Sequence, residues 1–203
     1  MNIIDFNKLM ENEVACLKTK PKLLLHICCA PCSSSVLERL NEFFNITVFF
    51  YNPNMDTKQE YEKRKIEAIN LINALNLENK NKIEIITLNY IHEEFLHEVL
   101  GLEGDKEGGN RCYKCFNLRL KKTASYAKEN GFDYFTTTLT VSPYKNAKVL
   151  NEIGEKLQNE YNIKYLFSDF KKKDGYKRSI ELSHKYNLYR QDYCGCEFSK
   201  QNN

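Results

Sequence analysis

A chain of 203 residues, 42% apolar and 28% charged, is long enough to bury a substantial core and too apolar to stay disordered. Its net charge of +3 gives the whole molecule no demand for nucleic acid, so any basic site has to be local. The N-terminal MNIIDFNKLMENEVA carries acids early and lacks the apolar centre of a secretory signal, and no run approaches the ~18 apolar residues that span a bilayer; the expected location is the cytoplasm.

In chain order, the pattern predicts a helix over 4–19, a strand over 23–27, and a helix over 33–43. ITVFFY (46–51), a continuous apolar run closed by the turn NPN, reads as a central strand. A long amphipathic helix is expected over 58–77, a strand over 83–88, and a helix over 91–100 leading into the glycine-rich GLEGDKEGGN. That loop reads equally as a connector or as a lid over substrate. Then come a helix over 112–130 stopped by Gly131, a strand over 133–139, a helix from Pro143 to about Tyr161, a fifth strand over 163–167 and a helix over 175–187. LYRQDYCGC closes the fold.

Strands alternating with helices predict a doubly wound α/β fold, a mostly parallel five-stranded sheet of the Rossmann-like, HUP-like kind, in a single domain over 1–203. Such sheets bind ligands beyond the carboxyl ends of their strands. Cys28, Cys29 and Cys32 directly follow the first strand, TVSPYKN the fourth and SDFKKKDG the fifth, while the loop before Cys112 lies beyond the third. These segments are expected to gather along one rim.

Eight cysteines in a chain that needs no staples point to metal binding or redox work. Cys16 stands alone on a helical pattern and is expected to be a buried small apolar residue. CYKC (112–115) starts a helix, so both sulfurs share one face, and the helix dipole with Arg111 next door should lower their pKa values. Cys28 and Cys29, in a turn after a strand, can approach the same point. Four thiolates suit a [4Fe–4S] cluster or structural zinc, and an adjacent Cys–Cys pair is unusual in zinc knuckles, which favours the cluster. The CxC of YCGC (193–196) would form a small strained ring if oxidised, the labile and redox-active kind, or supply two ligands to a second metal. Cys29 and Cys32 form CAPC, which looks like a thioredoxin site but leaves the other clustered cysteines without a task.

FKKKDGYKR holds Lys171, Lys172, Lys173, Lys177 and Arg178 around Tyr176, and Arg190 with Tyr189 and Tyr193 extends the same chemistry towards YCGC. Cations interleaved with aromatics suit phosphate contact and base stacking, and an RNA with an extruded base is the matching partner. His26, inside the first strand, reads as a satisfied core residue; His92, His97 and His184 carry no assignment.

HICCAPCS, FYNPN with EYEKRK, RCYKCFNLRL, TTTLTVSPYKN, FKKKDGYKRSIELS and YRQDYCGCEFS, in this order over 22–199, closely resemble the QueH family of epoxyqueuosine reductases. Residues 1–21 lie outside the resemblance, and 170–199 form its C-terminal basic segment with the CxC. The resemblance implies reduction of epoxyqueuosine to queuosine at the wobble position of tRNA, the last step of queuosine biosynthesis, with no cobalamin. It further implies that Cys28, Cys29, Cys112 and Cys115 bind the [4Fe–4S] cluster and that Cys194 and Cys196 form a redox-active pair. Cys32 is a candidate ligand for a second metal, an additional mononuclear iron. Asp169, Tyr144 and Asp192 are candidate proton donors, Lys171, Lys172, Lys173, Tyr176, Lys177, Arg178 and Arg190 candidate contacts to the anticodon loop, and the electron donor is unassigned. Two rivals are a thiol–disulfide oxidoreductase using Cys29 and Cys32 and a zinc-stapled RNA-binding module.

Overall fold

The structure is a computed structural model that describes residues 4–200; residues 1–3 and 201–203 of the expected domain lie outside the described residues. Strands β1 (Lys22–Ile27), β2 (Asn45–Phe50), β3 (Glu84–Thr87), β4 (Tyr134–Thr137) and β5 (Lys164–Tyr165) form one sheet in the order β3-β2-β1-β4-β5. Every pairing is parallel, as the alternation of strands and helices demands. The helices are α1 (Phe6–Ala15), α2 (Ala30–Leu40), α3 (Lys58–Glu78), α4 (His92–Glu98), α5 (Asn110–Glu129), α6 (Ala147–Tyr161), α7 (Gly175–Lys185) and α8 (Glu197–Lys200).

Successive β1 side chains point to opposite faces, so its apolar run feeds two cores at once. Leu23, Leu25 and Ile27 pack with Val36, Leu37 and Leu40 of α2 and with Ala68, Leu71 and Ile72 of α3. Leu24 joins Phe49 and Phe135 on the other face, under Leu120 and Ala124 of α5 and Leu150 and Ile153 of α6. These leucines are fully buried, each contributing roughly 1.5–3 kcal/mol.

The chain runs outward from β1 through β2 to β3, then crosses back to place β4 on the other side of β1. The order therefore reverses between β1 and β4, the place where such sheets open a crevice for ligands. Residues 28–32 and the segment after β4 both leave the sheet at this point.

Several elements differ from the sequence reading. Helix α2 starts at Ala30 with Pro31 in its first turn, because Cys29 takes the N-cap position. Ser33 and Ser34 are thus inside the helix, each donating to a carbonyl three residues back. The fourth strand ends at Thr137, whose hydroxyl accepts from the Leu139 N–H and turns TLTV into a 3-10 helix. The fifth strand shrinks to an edge pair at Lys164–Tyr165, and the short α8 was not expected. Cys16 is exposed, not buried: α1 ends at Ala15 and leaves it as the C-cap, past the last turn facing the core. No helix among the described residues is long and apolar enough to cross a membrane.

Candidate active site: a thiol-lined cavity at the carboxyl rim

The first thiols follow from the end of β1. Cys28 donates to Cys29 across 3.7 Å, and Cys29 also receives a hydrogen bond from Cys32, one turn into α2. These bonds hold Cys29 well below the ordinary thiol range, while the same contacts raise Cys28 and Cys32. Behind them His26 is buried between Thr137 and the Tyr51 carbonyl. The carbonyl can only accept, so Nε2 carries the proton; burial, with Arg119 nearby, lowers the pKa to about 3. His26 is a satisfied neutral core residue, as expected.

The second pair opens α5. Cys112 accepts from the Gly108 N–H at 3.2 Å, and Cys115 is buried. The expected lowering of their pKa values does not hold. Burial pushes both up, Cys115 to about 12. Arg111 turns away, donating to the carbonyls of Leu102, Glu103 and Asp105, and thereby pins the glycine-rich loop onto the helix start. Desolvation of a nearly closed site outweighs the helix dipole; a bound cation would reverse it by deprotonating the thiols.

The third pair sits on an irregular strap before α8. Gly195, at φ +122°, lets Cys194 and Cys196 diverge. Cys194 lines the cavity beside Cys28 and Cys32, whereas Cys196 is buried with Cys115, Phe95 and Val99. The strap is tethered on its outer side. Arg64 Nη1 donates to the Cys194 carbonyl at 3.3 Å and the Asp56 N–H to the Gly195 carbonyl at 2.8 Å. Tyr193 donates to Asp56 at 3.0 Å and Lys200 pairs with the same carboxylate.

A cavity of about 270 Å³ opens over these thiols, lined by Cys28, Cys32, Cys194, Tyr144, Lys145, Tyr176, Arg190 and Asp192, among others. Two of the candidate proton donors, Tyr144 and Asp192, reach it; Asp169 instead pairs with Lys171 at 2.9 Å. The basic segment is divided in the same way. Tyr176 and Arg190 face the cavity, while Lys173 pairs with Glu11 and Arg178 with Glu38 and Glu181. Lys172 and Lys177 are exposed. The run after the fifth strand does not present one common face: Lys173 turns back to α1 and Arg178 to α2, while Tyr176 lines the cavity.

Three cations face the thiols, and the sequence reading singled out none of them. Lys145, after β4, lines the cavity; burial lowers its pKa, but the thiols of Cys194, Cys28 and Cys32 outweigh that and raise it. Arg64 is buried and paired with Glu60 at 2.6 Å. Arg119 is buried, donates to the Cys115 carbonyl and to Asn52, and has no carboxylate partner among the described residues. One nitrogen of each guanidinium, Nη2, is buried without an acceptor. An uncompensated buried cation costs several kcal/mol, so Arg119 in particular fits an anionic, thiolate-bound centre. Among the described residues no three His, Cys, Asp or Glu side chains close tightly enough for a single ion.

Fold and site together define a parallel α/β protein with a redox-capable thiol centre at its topological switch point. The profile of the family described as "Epoxyqueuosine reductase QueH" matches residues 23–202. Similar curated proteins carrying that name come from Streptococcus pyogenes (45% identical over 180 residues, 89% of this chain and 71% of that one) and Staphylococcus epidermidis (45% over 182, 89% and 76%). Another, from Thermotoga maritima, is 34% identical over 180 residues, 87% of this chain and 89% of that one. The chain belongs to the QueH family of epoxyqueuosine reductases. A solved structure of similar fold is the U34-tRNA thiolase NcsA from Methanococcus maripaludis with its [4Fe-4S] cluster, at TM-score 0.55 and 15% identity, covering 97% of this chain and 70% of that one.

Proposed function

We propose that this chain reduces epoxyqueuosine to queuosine at the wobble position of tRNA, the last step of queuosine biosynthesis, in the cytoplasm. Beyond family membership, the observation that carries the reading is that Cys28 and Cys32 after β1 and Cys194 of the strap line one cavity at the β1/β4 switch point, while Cys112 packs against the core cluster that holds Cys28 and Cys29, and Cys115 is buried with Cys196. Cys28 and Cys29 at the end of β1, with Cys112 and Cys115 at the start of α5, are the residues that would hold a [4Fe–4S] cluster. When bound, such a cluster supplies electrons one at a time next to the substrate. Cys32, which bonds to Cys29, is the candidate ligand for an additional mononuclear iron.

Removing the epoxide oxygen takes two electrons and two protons and releases water, leaving the alkene of queuosine. A dithiol supplies both: as Cys194 and Cys196 become a disulfide they give up two electrons and two protons. An external reductant then restores the thiols. Lys145 keeps a positive charge at the cavity, where oxygen leaves as an anion before it is protonated. Tyr144 and Asp192 are within the cavity wall for proton delivery. Tyr176 offers a face for the extruded base, and Arg190 a cation for the neighbouring phosphate.

The experiment is an anaerobic preparation with iron and sulfide content, an absorption spectrum, and turnover of epoxyqueuosine-containing tRNA. About four irons per chain and formation of queuosine are expected. Replacing Cys194 and Cys196 with serine should abolish turnover with the iron retained; intact turnover would remove the dithiol from the mechanism.

A further inference from the structure

Arg119 stands out among the buried groups. It lies one helical turn after Cys115 and two after Cys112, so all three share a face of α5. Its Nη1 donates to Asn52 Oδ1 at 3.5 Å, and Asn52 Nδ2 donates at 2.9 Å to the carbonyl of Ile27, the residue before Cys28. The guanidinium is thereby held between the two segments that carry the cysteine pairs. It is 1% exposed, its Nη2 has no acceptor, and no carboxylate neutralises it among the described residues. Arg64, the other buried guanidinium near the thiols, has Glu60 as a counter-ion and serves as the internal contrast.

Resting on the cluster reading above, we propose that Arg119 sets the reduction potential of the iron–sulfur centre by placing one uncompensated positive charge and a free N–H donor beside its thiolates. Reduction adds one electron, supplied from outside, to a centre already made negative by four thiolates. A fixed cation and hydrogen bonds to sulfur favour the reduced, more negative form and raise the potential. Arg119 is in this sense a tuning residue. The chain needs it inside the fold because, in the low-dielectric interior, its charge is little screened. Neutral His26 fits the same picture, since the Arg119 charge opposes a second cation there.

The test is a reductive titration with dithionite and redox mediators, followed by electron paramagnetic resonance, on iron-loaded wild type and Arg119→Gln at equal iron and sulfide content. The midpoint of Arg119→Gln should move to more negative potential. Arg119→Lys keeps the charge but loses the fork of donors, and should move in the same direction by less. If Arg119→Gln does not fold or load iron, Arg119→Lys carries the test alone. An unmoved midpoint in the loaded variant overturns the proposal and leaves the cluster assignment standing. A wild type that takes up no iron overturns the cluster assignment itself.

Discussion

Replacing Gly195 with alanine should release the CxC strap without disturbing the sheet. The backbone there is at φ +122°, a region L-residues rarely occupy, at a cost of roughly 1–3 kcal/mol. A methyl would also stand 3.2 Å from Arg64 Nη1, and that guanidinium cannot withdraw, being buried and fixed by Glu60. The strap's two backbone tethers, to Arg64 and to the Asp56 N–H, contribute about 1 kcal/mol each, so strain of this size is comparable to what holds the strap down. A shift of roughly 2–3 kcal/mol towards the open form corresponds to about 30- to 150-fold. Hydrogen exchange at the Asp56 amide reads it directly, because its acceptor is the Gly195 carbonyl. Protection at Asp56 should fall by that factor while the amides of β1 and β2 keep theirs, and turnover should fall with it. Unchanged protection at Asp56 would refute the idea that the strap depends on this backbone conformation.

Arg190→Ala should weaken tRNA binding by about tenfold or more, the scale of a charge-assisted contact, whereas Arg178→Ala should change it little because Glu38 and Glu181 already hold that side chain. Binding curves at one fixed salt concentration decide it, and equal losses would contradict the division of the basic segment. Gly154→Ala would put a methyl 2.3 Å from the buried Tyr165 ring and should cost about 1–3 kcal/mol, seen as a lower melting temperature at unchanged iron content. Asp56 responds to acid. Desolvation raises its pKa, but hydrogen bonds from Lys200 and Tyr193 outweigh that and lower it below the unfolded value. Its contribution is therefore complete above about pH 4 and is lost as the pH falls through the folded value. Cleavage of the strap by pepsin should rise below about pH 4 in the wild type and lose that dependence in Asp56→Asn.

The strand–helix alternation and the apolar run of β1 made the parallel sheet legible, and the rule that ligands bind at strand carboxyl ends puts Cys28–Cys32 and the segment after β4 on one rim. What escaped depended on contacts between residues far apart in sequence. A count of lysines and arginines over 171–178 cannot see Glu11 and Glu38, which neutralise Lys173 and Arg178 from α1 and α2. The low pKa expected at the start of α5 rested on local dipole and charge; burial, a property of the packed site, reversed it. Arg64 and Arg119 lie in EYEKRK and NLRL and received no assignment from the sequence, yet both are 1% exposed. Buried arginines carry no local signature. The available hint was that each stands near a cysteine motif once the strands are ordered. Cys16 failed for a simpler reason: the helix was expected to run to residue 19 but ends at Ala15, which leaves Cys16 as its C-cap.

The division of the thiols between rigid and tethered backbone bears on their proposed roles. Cys28, Cys29, Cys112 and Cys115 sit at a strand end and a helix start, positions fixed by the two cores that β1 and α5 help to build. Ligands to a permanent centre gain from such fixation, since a preorganised set spends less conformational entropy on binding. Cys194 and Cys196 sit instead on a strap outside the sheet, flanking a glycine and held by a few hydrogen bonds and one carboxylate. A pair that must close into a disulfide and be reopened by an outside reductant has to change its backbone in each cycle, which a core position would oppose. On this argument the adjacent Cys28–Cys29 suits the permanent centre proposed above, because α2 is capped at Cys29 and any large movement there would unwind the helix from its first turn.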